Sequence, residues 1–278
     1  HDFGSPVAAN CALIRPDVFR KVVLMSAPYA GPPNLLARDL DPKTGSHPRS
    51  GSRTCFSGSR ADPRSSPSRG AIFDDLERLD PPRKHYQRYY QSREANANMW
   101  HARHGLHAFL RGYYHFKSAD WKANRPFRLA AFTPSELAKM PTYYVMDRDK
   151  GMAETVAAEM PSAAEIAACR WLTADELSVY AAEFDRTGFQ GGLQWYRCTD
   201  SERQLTELEI FSGRTLDVPA CFIAGKSDWG VYQFPGAFER MPDVCTQWCG
   251  AHLIEGAGHW VQQEQPEEVT RLLFGFLR

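Results

Sequence analysis

At 278 residues, with 43% hydrophobic and 12% aromatic side chains, the chain is long enough to bury one large α/β core or a core with a subsidiary domain. Lys plus Arg equals Asp plus Glu at 33 each, so no global field points to nucleic acid, and no run of about 18 apolar residues offers a membrane span. The seven cysteines (11, 55, 169, 198, 221, 245 and 249) are odd in number and lack a CxxC pair. That argues against a disulfide framework and against zinc, and it implies reduced thiols in a cytoplasmic protein.

The chain opens on His1-Asp2-Phe3-Gly4-Ser5-Pro6-Val7-Ala8-Ala9. A carboxylate between small residues at the mouth of an apolar helix suits a nucleophile elbow, where a reactive side chain sits on a sharp strand-to-helix turn facing the helix N-terminus. A helix N-cap explains His-Asp-x-Gly equally well. With aspartate as the nucleophile, the chemistry becomes attack at a saturated carbon through an alkyl ester. The sequence begins at this turn without methionine, so the strand leading into it, and any targeting signal, are expected upstream of His1.

Residues 6 to 14 read as a buried helix with Pro6 in its first turn, and Val22-Val23-Leu24-Met25 as a strand covered on both faces of a parallel sheet. From Pro42 to Arg69 there are eight Ser, five Arg, four Pro and three Gly, a net charge of +5 and almost nothing to bury. This stretch is expected to be disordered, either as a solvated insert or as a phosphorylatable or anion-binding arm. Amphipathic, aromatic-rich helical segments follow at roughly 74 to 95, 97 to 117, 149 to 159 and 174 to 187, punctuated by Pro81-Pro82, Pro126, Pro134, Pro141, Pro161 and Gly188, with no strand pattern of any length between them. Helices inserted between the strands of an α/β sheet form a cap that shields a site from water.

Strand signals resume at 218 to 225 and 251 to 255, with helices expected at 235 to 240 and 264 to 277. Asp147, Asp149 and Asp228 all follow apolar stretches, but only Asp228 stands at a strand end in the resumed core. His259 follows the next strand within Gly-x-Gly-His. Both lie at carboxyl ends, where open parallel sheets place ligands, and the order Asp2, Asp228, His259 is nucleophile, acid, histidine. The expected division is core (1–38), insert (39–71), helical cap (72–213) and core again (214–278).

Five blocks in order carry a resemblance: His-Asp-Phe-Gly-Ser at 1 to 5, His-Tyr-Gln-Arg-Tyr-Tyr-Gln at 85 to 91, Gly-Phe-Gln-Gly-Gly-Leu-Gln-Trp-Tyr-Arg at 188 to 197, Gly-Lys-Ser-Asp-Trp-Gly at 225 to 230, and Gly-Ala-Gly-His-Trp at 256 to 260. Apart from residues 39 to 71, the chain resembles an epoxide hydrolase of the α/β-hydrolase fold, with a partial parallel sheet and an inserted helical cap. The resemblance implies Asp2 as nucleophile, Asp228 as acid, His259 as base, and Tyr86 and Tyr196 as cap tyrosines. It implies the Phe3 N–H as an oxyanion donor, and Trp195, Trp229 and Trp260 as pocket residues. The partners implied are a small epoxide and water, with no cofactor, metal or nucleic acid.

Helix periodicity does not choose among Tyr86, Tyr89 and Tyr90; only the resemblance selects Tyr86. A dehalogenase of the same fold is the nearest alternative, but such enzymes commonly place a tryptophan after the nucleophile, where this chain has Phe3. The other alternative is a non-catalytic remnant. Without upstream strands and an oxyanion loop, these 278 residues alone are expected to melt without a sharp transition and to show no turnover.

Overall fold

Residues 1–33, 69–198 and 202–278 are described by the structure, a computed structural model. The disorder expected at 42 to 69 lies outside these residues, except that Arg69 begins a helix. Immediately after Asp2, α1 (Gly4–Ile14) starts with Pro6 in its first turn, where no donor is needed, and buries Ala9, Ala12 and Leu13 against β1 (Val22–Met25).

The helical region comprises α2 (Arg69–Asp75), α3 (Tyr86–Gln91), α4 (Glu94–Trp100), α5 (Leu106–Lys117), α6 (Pro134–Leu137), α7 (Met152–Ala157), α8 (Ala163–Ala168), α9 (Ala174–Thr187), α10 (Gln190–Cys198) and α11 (Glu202–Glu209). Capping boxes open two of these helices, Ser162 with Glu165 and Thr173 with Glu176, each pair satisfying backbone donors that the first turn leaves over. The helical expectations need correction. The segment 97 to 117 is not one helix but parts of α4 and α5 separated at 101–105, and within 74 to 95 the break at Pro81-Pro82 leads into a strand, β2 (Arg83–His85). That strand pairs antiparallel with β3 (Val145–Asp147), Arg83 opposite Asp147, so a strand pair does interrupt the helices.

β4 (Leu216–Gly225) and β5 (Cys245–Ile254) complete a parallel sheet in the order β1-β4-β5. No helix forms at 235 to 240: Pro235 and a left-handed Gly236 make a turn there, and α12 (Met241–Val244) follows. α13 (Val261–Glu264) and α14 (Pro266–Leu277) close the chain. Leu24, Phe222 and Ile223 are fully buried at the sheet, and each such side chain stabilises by roughly 1.5–3 kcal/mol. A separate apolar cluster joins the helical residues from Ile72 to Leu193 and includes one core residue, Trp229. No described helix is long and apolar enough to cross a membrane, and the six described cysteines are all free thiols.

Candidate active site

Asp2 adopts a left-handed φ of 53°, a conformation costly for a residue with a Cβ, and neighbouring bonds hold it there. Its N–H donates to the Met25 carbonyl at 3.0 Å, its carbonyl accepts from the Ser5 N–H at 2.9 Å, and the Ser5 hydroxyl donates to the Ala27 carbonyl at 2.6 Å. Ser5 is enclosed, whereas a Cβ on Gly4 would meet nothing within 4 Å, so only one of the two small neighbours is sterically required among the described residues. The N-cap position belongs to Phe3, which makes no side-chain cap bond, and the Asp2 carboxylate faces His259 instead.

His259 Nε2 lies 3.7 Å from Asp2 Oδ2, beyond hydrogen-bond range, while Nδ1 lies 3.2 Å from Asp228 Oδ1. Asp228 is 1% exposed, and its Oδ1 also accepts the Gly230 N–H at 2.8 Å. Ser26, on a left-handed φ of 68° at the end of β1, donates its hydroxyl to Asp228 Oδ2 at 2.5 Å and stands 3.0 Å from His259 Nδ1. Burial works against charge on Asp2, yet His259 and the Lys117 ammonium together lower its carboxyl to about 2. Burial and Lys117 pull the His259 imidazolium down, but Asp228 and Asp2 outweigh them and leave its pKa raised.

Two cavities meet at Asp2, Phe3 and Tyr196. One, of about 440 Å³, is also lined by Tyr86, Trp195 and Gln233. The other, of about 250 Å³, is lined by Tyr90, Tyr113 and Trp260. A cavity of about 460 Å³ between α5 and α7 contains none of the expected site residues. The rings of Tyr86 and Tyr196 are 5.8 Å apart, edge to face. Burial raises both phenols far above their ordinary range, with Asp2 adding to the shift, so both hydroxyls keep their protons. Of the three helix tyrosines, Tyr89 donates to Asn98 Oδ1 at 2.7 Å and lines neither cavity, while Tyr90 donates to Tyr113 at 3.3 Å. The Tyr86 hydroxyl accepts from Gln87 at 3.3 Å and donates to Gln233 at 3.4 Å.

The tryptophans divide. Trp195 stacks on Phe3 at 5.1 Å in the larger cavity, and Trp260 lines the smaller one. Trp229 lines neither cavity: its ring packs against Phe127 at 5.0 Å, and its enclosed indole N–H has no partner among the described residues. It follows Asp228 in sequence, but the turn at 229–231 directs it into the apolar cluster, so its expected pocket role is corrected to packing. The Phe3 N–H, at the start of α1, donates to no carbonyl among the described residues.

Lys117 was not singled out by the sequence. It is 7% exposed, with its ammonium 5.4–5.9 Å from the rings of Tyr113, Tyr143, Tyr144 and Trp260. Ser26 could have been found as a polar residue directly after an apolar strand; a lysine ending an aromatic helix carries no such signal. Among the described residues no cluster of three or more His, Cys, Asp or Glu could hold a metal ion.

No protein-family model matches the chain. It is 45% identical over 107 residues to epoxide hydrolase A of Mycobacterium tuberculosis, covering 38% of this chain and 32% of that protein. To epoxide hydrolase B of the same organism it is 41% identical over 107 residues, covering 38% and 30%. The chain is similar in structure to an epoxide hydrolase from an endophytic Streptomyces, with a TM-score of 0.65, 28% identity and coverage of 100% of this chain and 66% of that one. The corresponding values for epoxide hydrolase A from Mycobacterium thermoresistibile are 0.66, 28% and 67%. The matched segment spans about a third of the curated relatives' length, and the superposition about two thirds of the solved chains. By sequence and by architecture the chain is a relative of the epoxide hydrolases and carries part of their α/β-hydrolase fold.

Proposed function

We propose that the protein is an epoxide hydrolase that converts a small epoxide to a vicinal diol through an ester on Asp2. An Asp2 oxygen attacks a ring carbon, the ring C–O bond breaks, and the freed oxygen takes a proton from Tyr86 or Tyr196. Water then gives a proton to His259 Nε2, and the hydroxide adds to the ester carbonyl, whose developing oxyanion the Phe3 N–H receives. Collapse breaks the ester bond, and the two water protons end on the departing alkoxide and on the tyrosinate. Asp228, fixed by Ser26 and Gly230, orients the imidazole and stabilises its charged form.

One observation carries this reading: an ionised carboxylate and two phenols that keep their protons converge on one cavity, with a histidine–aspartate pair behind the carboxylate. The dehalogenase alternative is disfavoured because position 3, where such enzymes commonly carry a tryptophan, is phenylalanine. The test is His259→Gln mixed with a terminal aryl epoxide and examined by mass spectrometry. One epoxide mass should be retained on the peptide that carries Asp2. Turnover by the wild type with no adduct on the variant contradicts the ester, and neither turnover nor adduct favours a non-catalytic relative.

A further inference from the structure

We propose that Glu264 is the positioning residue for His259: its carboxylate clamps the histidine loop to the end of α5 and so aims Nε2 at the Asp2 ester. The inference rests on the epoxide-hydrolase reading and adds a residue to it. Glu264 Oε2 accepts the Gly258 N–H at 2.9 Å and the Ala119 N–H at 2.8 Å, and Oε1 accepts the Trp260 N–H at 3.0 Å. The residues on either side of His259 are thus bound to one carboxylate, together with Ala119, two residues beyond α5. His259 itself donates its N–H to the Lys117 carbonyl at 2.9 Å, and its carbonyl accepts from His1 Nε2 at 2.6 Å.

The junction is backbone against backbone. A Cβ on Gly258 would lie 2.5 Å from the Lys117 carbonyl oxygen and 2.7 Å from the Ser118 carbonyl carbon. The Lys117 carbonyl receives the His259 amide, and the Glu264 carboxylate receives those of Gly258, Trp260 and Ala119. Burial, the largest influence, pushes the Glu264 carboxyl up to about 7, against three N–H groups that favour its ionised form. A glutamine cannot replace it: the amide offers one acceptor oxygen and turns an NH2 group toward an N–H.

In the proposed cycle His259 acts only on the ester, so a displaced imidazole slows hydrolysis and spares alkylation. The test measures both half-reactions by rapid quench and mass spectrometry in wild type, Glu264→Gln and Glu264→Asp; the last keeps the charge but is one methylene too short to hold both segments. Hydrolysis of the ester should fall on the order of tenfold or more in both variants, with its formation within about twofold of wild type. Equal slowing of both steps marks a merely structural residue and overturns the proposal, as does unchanged hydrolysis in either variant. The 15N spectrum of the His259 ring, assigned by subtracting His259→Gln, reads the clamp without substrate. It should show one dominant tautomer in wild type and exchange broadening or mixed tautomers in Glu264→Gln. An unchanged ring signal rejects the clamp, whereas the absence of ester on wild-type Asp2 rejects the epoxide reading separately.

Discussion

The sheet and the helical cap bring their chemistry to the same cavity by different physical means. On the sheet side, the backbone holds each group proposed to react. Asp2 and Ser26 take left-handed φ values, Asp228 follows the end of β4, and His259 sits on a loop whose glycine meets α5 backbone to backbone. On the cap side, aromatic packing holds them. Tyr86 touches Tyr90, Tyr144 and Tyr196, all at ring distances of 5.1–5.8 Å. Backbone constraints leave marks in a sequence, such as small residues, strand ends and glycines, whereas a packed ring looks like its neighbours.

The sharpest way to break this comparison is to remove the groups proposed to do bond chemistry. Asp2→Ala should abolish adduct and turnover together, while His259→Gln should retain the adduct and lose turnover, as read by intact mass and diol yield. Acidification should reproduce the second phenotype in the wild type. Asp2 stays ionised down to about 2, so alkylation persists, but His259 must be neutral to take a proton, and its raised pKa removes that form early as pH falls. The ester fraction at steady state should therefore rise below neutrality; a parallel fall of both half-reactions would contradict the assignment.

The cap side is tested by single hydroxyls. Tyr86→Phe and Tyr196→Phe should each slow ester formation by about 3 kcal/mol of transition-state stabilisation, on the order of a hundredfold. Tyr89→Phe, removing the bond to Asn98, should leave that rate within about twofold and cost about 1 kcal/mol of stability. Equal rates for all three variants would reduce Tyr86 to packing.

Smaller effects separate the glycines and Trp229. Gly258→Ala should cost about 1–3 kcal/mol in thermal melts because its Cβ meets fixed backbone, while Gly4→Ala, with open space around it, should stay within about 0.5 kcal/mol. Trp229→Phe should leave turnover unchanged, since the ring lines neither cavity and its N–H has no partner among the described residues.

The same division explains what the sequence made legible. α1, β1, β4 and the positions of Asp2, Asp228 and His259 could be read from apolar runs and the residues that stop them. The pairing of Arg83–His85 with Val145–Asp147 could not, because three residues show no periodicity and the partners lie some sixty positions apart. At 235 to 240 the alternation of strand and helix suggests a helix, but Pro235-Gly236 is a local turn signal and prevails. Tyr86 was separable from Tyr89 only by resemblance, since a shared helix face precedes any knowledge of what lies across it. Glu264 left no signal, because a glutamate beside glutamines reads as solvated until Ala119, Gly258 and Trp260 are brought against it.

The central claim is that Asp2 becomes covalently bonded to the substrate, and a single turnover in 18O-water tests it most directly. With enzyme in excess over epoxide, hydrolysis of the ester at its carbonyl should leave one heavy oxygen in the Asp2 carboxylate and none in the first diol released. Heavy oxygen in the diol with none on the peptide bearing Asp2 would show that water attacks the epoxide itself and would contradict the account.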